Sequence, residues 1–147
     1  MSNAPPISPY GSDLACVFTS TGVGDMTAGA SEVSGVMVVV QRILRRITTR
    51  KGTVIGCPND CLDIRDFLRA GNTPQALAGL QGQLQAEIAK DEAVTSVSAN
   101  VVYSTQTGTM SITLSIVTGL GPFTLVLNIS SLTLAILLNG APLAGVV

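Results

Sequence analysis

Two hydrophobic periods divide this chain. Between about residues 34 and 91 apolar side chains recur every three or four positions, and beyond Ser96 they alternate with Ser, Thr and Asn. The first period predicts a helix over about 34–47, with Val36, Val40, Ile43, Leu44 and Ile47 on one face and Arg42, Arg45 and Arg46 on the other. Val38 falls near the arginine side, so this helix needs contact on two sides. Gly52, Gly56 and Pro58 around the β-prone "TVI" then predict a turn, a short strand and a loop. Asp60 is placed to cap a short helix that buries Ile64, Phe67 and Leu68 and ends at Gly71. Thr73 and Pro74 have the N-cap and first-turn chemistry of a longer helix, with Leu77, Leu80, Leu84 and Ile88 on one face and a stop near Asp91. Gly79 and Gly82 weaken that helix intrinsically, so they are expected to mark close backbone packing.

The period of two predicts strands. Val97, Ala99, Val101 and Tyr103 alternate with Ser96, Ser98, Asn100 and Val102; "TQTGT" turns the chain; Met110, Ile112, Leu114 and Ile116 follow as the returning strand. After "GLGP" come Phe123, Leu125, Leu127 and Ile129, and a slip at Ser130 and Ser131 passes the alternation to Leu132, Leu134, Ile136 and Leu138. A membrane helix needs about 20 mostly apolar residues, and Thr124, Asn128, Ser130, Ser131 and Thr133 interrupt this stretch too often. The pattern therefore predicts an α+β fold: N-terminal helices followed by an antiparallel sheet of three to four strands packed on a long helix. Residues 1–32 read as an extended arm, 33–140 as the α+β domain and 141–147 as a C-terminal tail.

Charge sharpens this picture. Of the 147 residues, 46% are hydrophobic and 12% charged, and no Asp, Glu, Lys or Arg occurs after Glu92. A sheet without lysines or inward charges at its edges is prone to pair with strands of other chains, so the final third is expected to be covered by partners. The arm is rich in Gly, Pro, Ser and Thr and has too few large apolar groups for its own core, which suggests that it lies against neighbours. With no cationic start followed by an apolar segment, the expected compartment is the cytoplasm. Cys16, Cys57 and Cys61 are then reduced thiols, too few for a zinc site in a chain without His.

Little here favours catalysis. No nucleophile has a neighbouring base, no phosphate loop or dinucleotide fingerprint occurs, and neither a cofactor nor a metal is expected. Asp60, Asp63 and Asp66 could be imagined as paired carboxylates for glycan cleavage, but Asp63 suits the first helical turn and Arg65 and Arg69 balance the charge. Arg42, Arg45, Arg46, Arg50 and Lys51 put five of the eight basic residues into ten positions. They form either a solvated helix face or a docking face; the shortage of stacking aromatics argues against nucleic acid and for an acidic protein partner.

The order of segments resembles the sheath-initiator, or baseplate wedge, proteins of contractile phage tails, some linked to lysozyme in older descriptions. The resemblance spans about residues 35–138, most clearly "ILRRITTRKGTVIGCPNDCLDIRDFLRAG" and the "TP" helix ending in "KDEAV", with "GSDLAC" in the arm a weaker echo. Thr49 and Gly52 match the family's turn, Pro58 its proline, and Asp63, Arg65, Phe67 and Leu68 its short helix. Cys61 stands where a glycine is common, Thr53 where an acid often follows, and Ile64 where Leu is usual.

The resemblance implies a non-enzymatic virion protein, present in six copies per baseplate and assembled in the host cytoplasm. It would link wedge proteins to the tail sheath protein by accepting sheath strands into its sheet, beside tube or hub proteins and away from membrane and nucleic acid. On that view Ile112, Leu114, Leu125, Leu127, Ile129, Leu132, Leu134 and Ile136 face the sheath, and Arg42, Arg45, Arg46, Arg50 and Lys51 face the wedge. The rivals are another self-assembling tail or head-completion protein and, from the lysozyme link, a cell-wall glycan hydrolase.

Overall fold

A computed structural model describes residues 10–14, 16–18, 24–26, 32–70, 73–130 and 134–142. The fold is α+β, with three helices and an antiparallel five-stranded sheet, to which two short antiparallel strand pairs are added. Gly71, Ser131 and Leu132 lie outside the described residues.

The first strand pair joins β1 (Ser12–Leu14) to β4 (Glu32–Ser34), and the second joins β2 (Cys16–Phe18) to β3 (Gly24–Met26). The first helix, α1 (Val36–Thr48), has Val38, Val39, Val40 and Gln41 all buried, which is the two-sided covering that the position of Val38 demanded. β4 and the two later helices pack against it, and Gln41 Nε2 donates to the Leu14 carbonyl at 3.1 Å. The arm therefore folds back onto its own chain through β1 and β4. At Gly119, an added Cβ would meet the Tyr10 hydroxyl at 2.8 Å, so an arm residue also approaches the body closely there.

Residues 50–63 form successive turns and hold no strand, contrary to the expectation for "TVI". Gly52 and Gly56 both have positive φ, +83° and +82°, and two left-handed positions within five residues break the extended backbone that β-branched residues favour. The second helix, α2 (Ile64–Ala70), begins later than expected. Its cap is Asp63, whose Oδ1 accepts from the Arg65 amide at 3.0 Å, and Asp60 is engaged elsewhere.

Local chemistry sets the start of α3 (Pro74–Ala89): the Thr73 hydroxyl accepts from the Ala76 amide at 3.2 Å, with Pro74 at the first helical position. Leu80, Leu84 and Ile88 are buried in the core shared by helices and sheet. Gly79 and Gly82 correct the sequence-based expectation, because both are exposed and an added Cβ at either meets nothing within 4 Å.

The large sheet runs β5 (Val94–Ser104), β6 (Thr109–Thr118), β7 (Gly121–Ile129), β8 (Leu134–Leu138) and β9 (Ala141–Pro142), in that spatial order. Five strands exceed the expected three to four. Ile129 pairs with Leu134, so the chain reverses between them instead of slipping onward as one strand. The tail expected from residue 141 starts with β9, which extends the sheet.

The register aligns apolar side chains in rows. Val101, Ile112, Leu127 and Ile136 form one row; Ala99, Leu114, Leu125 and Leu138 form another; Tyr103, Met110, Ile129 and Leu134 form a third. All but Tyr103 and Leu138 are buried, and those two are partly buried against the same core. Each fully buried aliphatic side chain contributes roughly 1.5–3 kcal/mol relative to exposure, so this face supplies much of the driving force for folding.

Candidate functional site

The opposite face of the sheet consists of the other pleat positions. Asn100, Thr113, Val126 and Leu137 cross it in one row, and Val102, Ser111, Asn128 and Ala135 in the next. Its side chains are Ser, Thr, Asn, Val, Ala, Leu and Pro, without a charge, and Val102 and Val117 are exposed large apolar groups on it. The Ser111 hydroxyl donates to Asn128 Oδ1 across β6 and β7.

The topology decides which strands can accept another. β6 and β7 are paired on both sides, leaving β5 and the β8–β9 end as edges. The β5 edge is partly occupied, since α3 packs on β5 and Gln81 Oε1 accepts the Val101 amide at 3.0 Å. At the other end β9 matches only Leu137 and Leu138. The Asn139 amide donates to the Thr124 carbonyl at 2.8 Å, and antiparallel alternation then turns the backbone groups of Leu134 and Ile136 away from β7. Among the described residues no strand pairs with Leu134, Ala135 or Ile136 on that side.

These facts relocate the residues expected to face a sheath partner. Ile112, Leu114, Leu125, Leu127, Ile129, Leu134 and Ile136 are buried in this chain's own core, so their side chains are not available to a partner. Of the three strands that carry these residues, only β8 lies at an edge, where the outward backbone groups of Leu134 and Ile136 have no strand partner among the described residues.

The basic residues divide into two groups. Arg42 forms a two-point ion pair with Asp91, its Nε donating to Oδ2 at 3.0 Å, and Asp91 Oδ1 also accepts from the Ala93 amide at 2.9 Å. One turn on, Arg46 Nη1 donates to Glu87 Oε1 at 3.1 Å and lies 3.7 Å from Asp60. Arg45 reaches Asp13 on β1 at 2.6 Å. These three arginines thus have acidic partners within the chain itself. Arg50 is exposed and only 3.8 Å from Asp66, and Lys51 is exposed with no ion pair among the described residues.

Glu87 joins three elements. It is buried and accepts from Arg46 on α1, from the Cys61 amide at 2.8 Å and from Lys90 Nζ at 2.8 Å. Burial opposes its ionisation, but the hydrogen bonds from Lys90, Cys61 and Arg46 outweigh that and hold its carboxyl below the usual range. The bond from Arg45 holds Asp13 low in the same way. The sequence pattern marks Asp91 only as the stop of the long helix and does not single out Glu87, although their four-residue spacing repeats that of Arg42 and Arg46.

The motif positions are structural. The Thr49 hydroxyl donates to the Arg45 carbonyl at 2.6 Å; Gly52 takes its left-handed turn beside the Pro58 carbonyl; Phe67 and Leu68 pack on the core. Asp63 receives two hydrogen bonds from the Arg65 guanidinium, which also donates to the Thr48 carbonyl at 2.9 Å and so joins α1 to α2. Its bond to Asp63 raises the Arg65 pKa. Cys61 has φ +76°, a value that suits glycine, and burial pushes its thiol pKa up. Asp60, Asp63 and Asp66 each lie beside a cation: Lys90 and Arg46, Arg65, and Arg50 respectively. No helix among the described residues is long and apolar enough to cross a membrane. No protein-family model matches the chain, and no curated protein matches it either.

Proposed function

We propose that this chain is a structural, non-enzymatic virion protein of a contractile tail baseplate, joining wedge proteins to the first ring of the tail sheath. The observation that carries this reading is the edge of β8: uncharged, with the outward backbone groups of Leu134 and Ile136 not paired among the described residues, on a sheet whose outer face is also uncharged. Such an edge accepts an extended strand from a neighbour, with backbone hydrogen bonds supplying affinity. In this reading the long helix lies on the apolar face and stiffens the sheet, and α1 with the N-terminal arm fixes the subunit to wedge, tube or hub proteins. Six copies in a ring would turn individually weak strand contacts into firm attachment. Assembly takes place in the host cytoplasm, with no cofactor, nucleic acid or membrane involved.

The ion pairs at Asp60, Asp63 and Asp66 favour this over glycan hydrolysis, because each carboxylate is already engaged by a cation of its own chain. An uncharged edge would equally serve a different self-assembling tail or head-completion protein. Gold-labelled antibody against this chain, imaged on intact particles, is expected to mark the junction of baseplate and sheath. Label on the head or along the tube would overturn the baseplate reading.

A further inference from the structure

The loop between α1 and α2 presents an isoleucine that nothing in the fold uses. Ile55 is 99% exposed and Val54 beside it 41%, whereas the other isoleucines of α1, α2, α3 and the sheet are buried. The loop is held in shape at several points. The Thr53 amide and hydroxyl both donate to the Arg50 carbonyl, the Cys57 amide to that of Val54 at 3.1 Å, and the Asp60 amide to that of Cys57 at 3.2 Å. Its base is fastened to the body, with Lys90 Nζ on the Asn59 carbonyl, the Cys61 amide on Glu87 and the Leu62 amide on the Arg46 carbonyl at 2.9 Å. Residues 50–59 contain Arg50 and Lys51 and no acid, and Lys51 has no ion pair among the described residues. A fastened turn thus carries a bare aliphatic tip beside Lys51, which has no ion pair among the described residues, and Arg50, which lies 3.8 Å from Asp66.

We propose that this loop is a docking knob, with Ile55 as anchor in an apolar pocket of a protein partner whose rim is acidic and faces Arg50 and Lys51. Pre-organisation lowers the ordering cost of binding, and a central aliphatic anchor with a charged rim is how compact protein contacts gain affinity and orientation. A lipid surface fits less well: one isoleucine and two cations bury little apolar area, and interfacial anchors use a broad apolar face. The inference rests on the loop alone and does not need the baseplate reading.

The test places a photo-cross-linking amino acid at position 55 of the full chain in cells that make it. Adducts are identified by mass spectrometry, and the captured protein is purified for affinity measurement. The expected result is an adduct to one protein, at a peptide carrying Asp or Glu. Ile55→Asp should then weaken binding at least tenfold, Ile55→Leu should preserve it, and Lys51→Glu should weaken it several-fold and flatten its salt dependence. Absence of a protein adduct, unchanged affinity of Ile55→Asp, or Ile55-dependent sedimentation with phosphatidylserine vesicles would overturn the proposal. An adduct to a protein that is not a tail component would keep the knob and remove the baseplate reading; baseplates that carry the chain but give no adduct would do the reverse.

Discussion

Replacing Glu87 tests the clamp that holds the helices together. Its carboxylate accepts hydrogen bonds from Arg46, Lys90 and the Cys61 amide, so Glu87→Ala strips a buried site of three donors' partner at once. Bonds to a charged group contribute about 1.5–3 kcal/mol each when buried. Lys90 is partly exposed and recovers water, and Arg46 retains Asp60 at 3.7 Å, so their losses are smaller. The amide of Cys61, half-buried, loses its side-chain acceptor, and the total cost should be about 3 kcal/mol. Glu87→Gln keeps an acceptor for Cys61 and should cost about half as much. Urea unfolding at pH 7 measures both as shifts in midpoint at constant slope. The pH dependence supplies a second readout. Because the folded carboxyl titrates below its unfolded value, the stabilisation is complete above the unfolded pKa of about 4.3 and disappears as pH falls through the lower folded pKa. The gap between native protein and Glu87→Gln should therefore narrow as pH falls below the unfolded pKa and close below the folded one. A cost under about 1 kcal/mol for Glu87→Ala, or a gap that persists in acid, would refute the clamp.

Gly79→Ala and Gly82→Ala should each stabilise the chain by up to about 1 kcal/mol, raising the thermal midpoint, because the added methyls meet open space and the helix gains propensity. Destabilisation by either would mean that α3 packs differently. Cys61→Gly should be neutral to about 1 kcal/mol stabilising in urea, since relief of the left-handed conformation offsets the glycine entropy, whereas Cys61→Val should cost about 1–2 kcal/mol. Ala135→Lys puts a charge on the exposed outer face of the edge strand; it should change the stability of the isolated chain by less than about 0.5 kcal/mol yet abolish co-purification with sheath protein. Retained co-purification would argue against strand addition at β8.

What could be read from sequence was what local chemistry decides. Thr73 and Pro74 mark the start of α3 by the hydrogen bonds their own segment needs, and the alternation from Val97 to Ile129 fixes which side chains of β5, β6 and β7 face the core. Where a feature depends on distant packing, the reading failed. Arg42 and Arg46 meet Asp91 and Glu87 more than forty residues away, and only the crossing of α1 and α3 makes them partners. The reversal after Ile129 was missed because Ser130 and Ser131 suit a bulge or a turn equally, and the pairing of Ile129 with Leu134 is a tertiary choice. "TVI" has strand propensity, but the left-handed glycines on either side hold it in turns. The pattern marks Ile112, Leu125 and their neighbours as one face of the sheet, but that this chain covers that face with its own helices is again a matter of distant packing.

Hydrogen–deuterium exchange of the Leu134 and Ile136 amides, compared between the isolated chain and the assembled particle, examines the β8 edge directly. With strand addition, these amides exchange fast in isolation, while those of β6 and β7 stay slow, and they become strongly protected on assembly. Protection already complete in the isolated chain, or exchange unchanged by assembly, would show that no neighbour pairs with this strand.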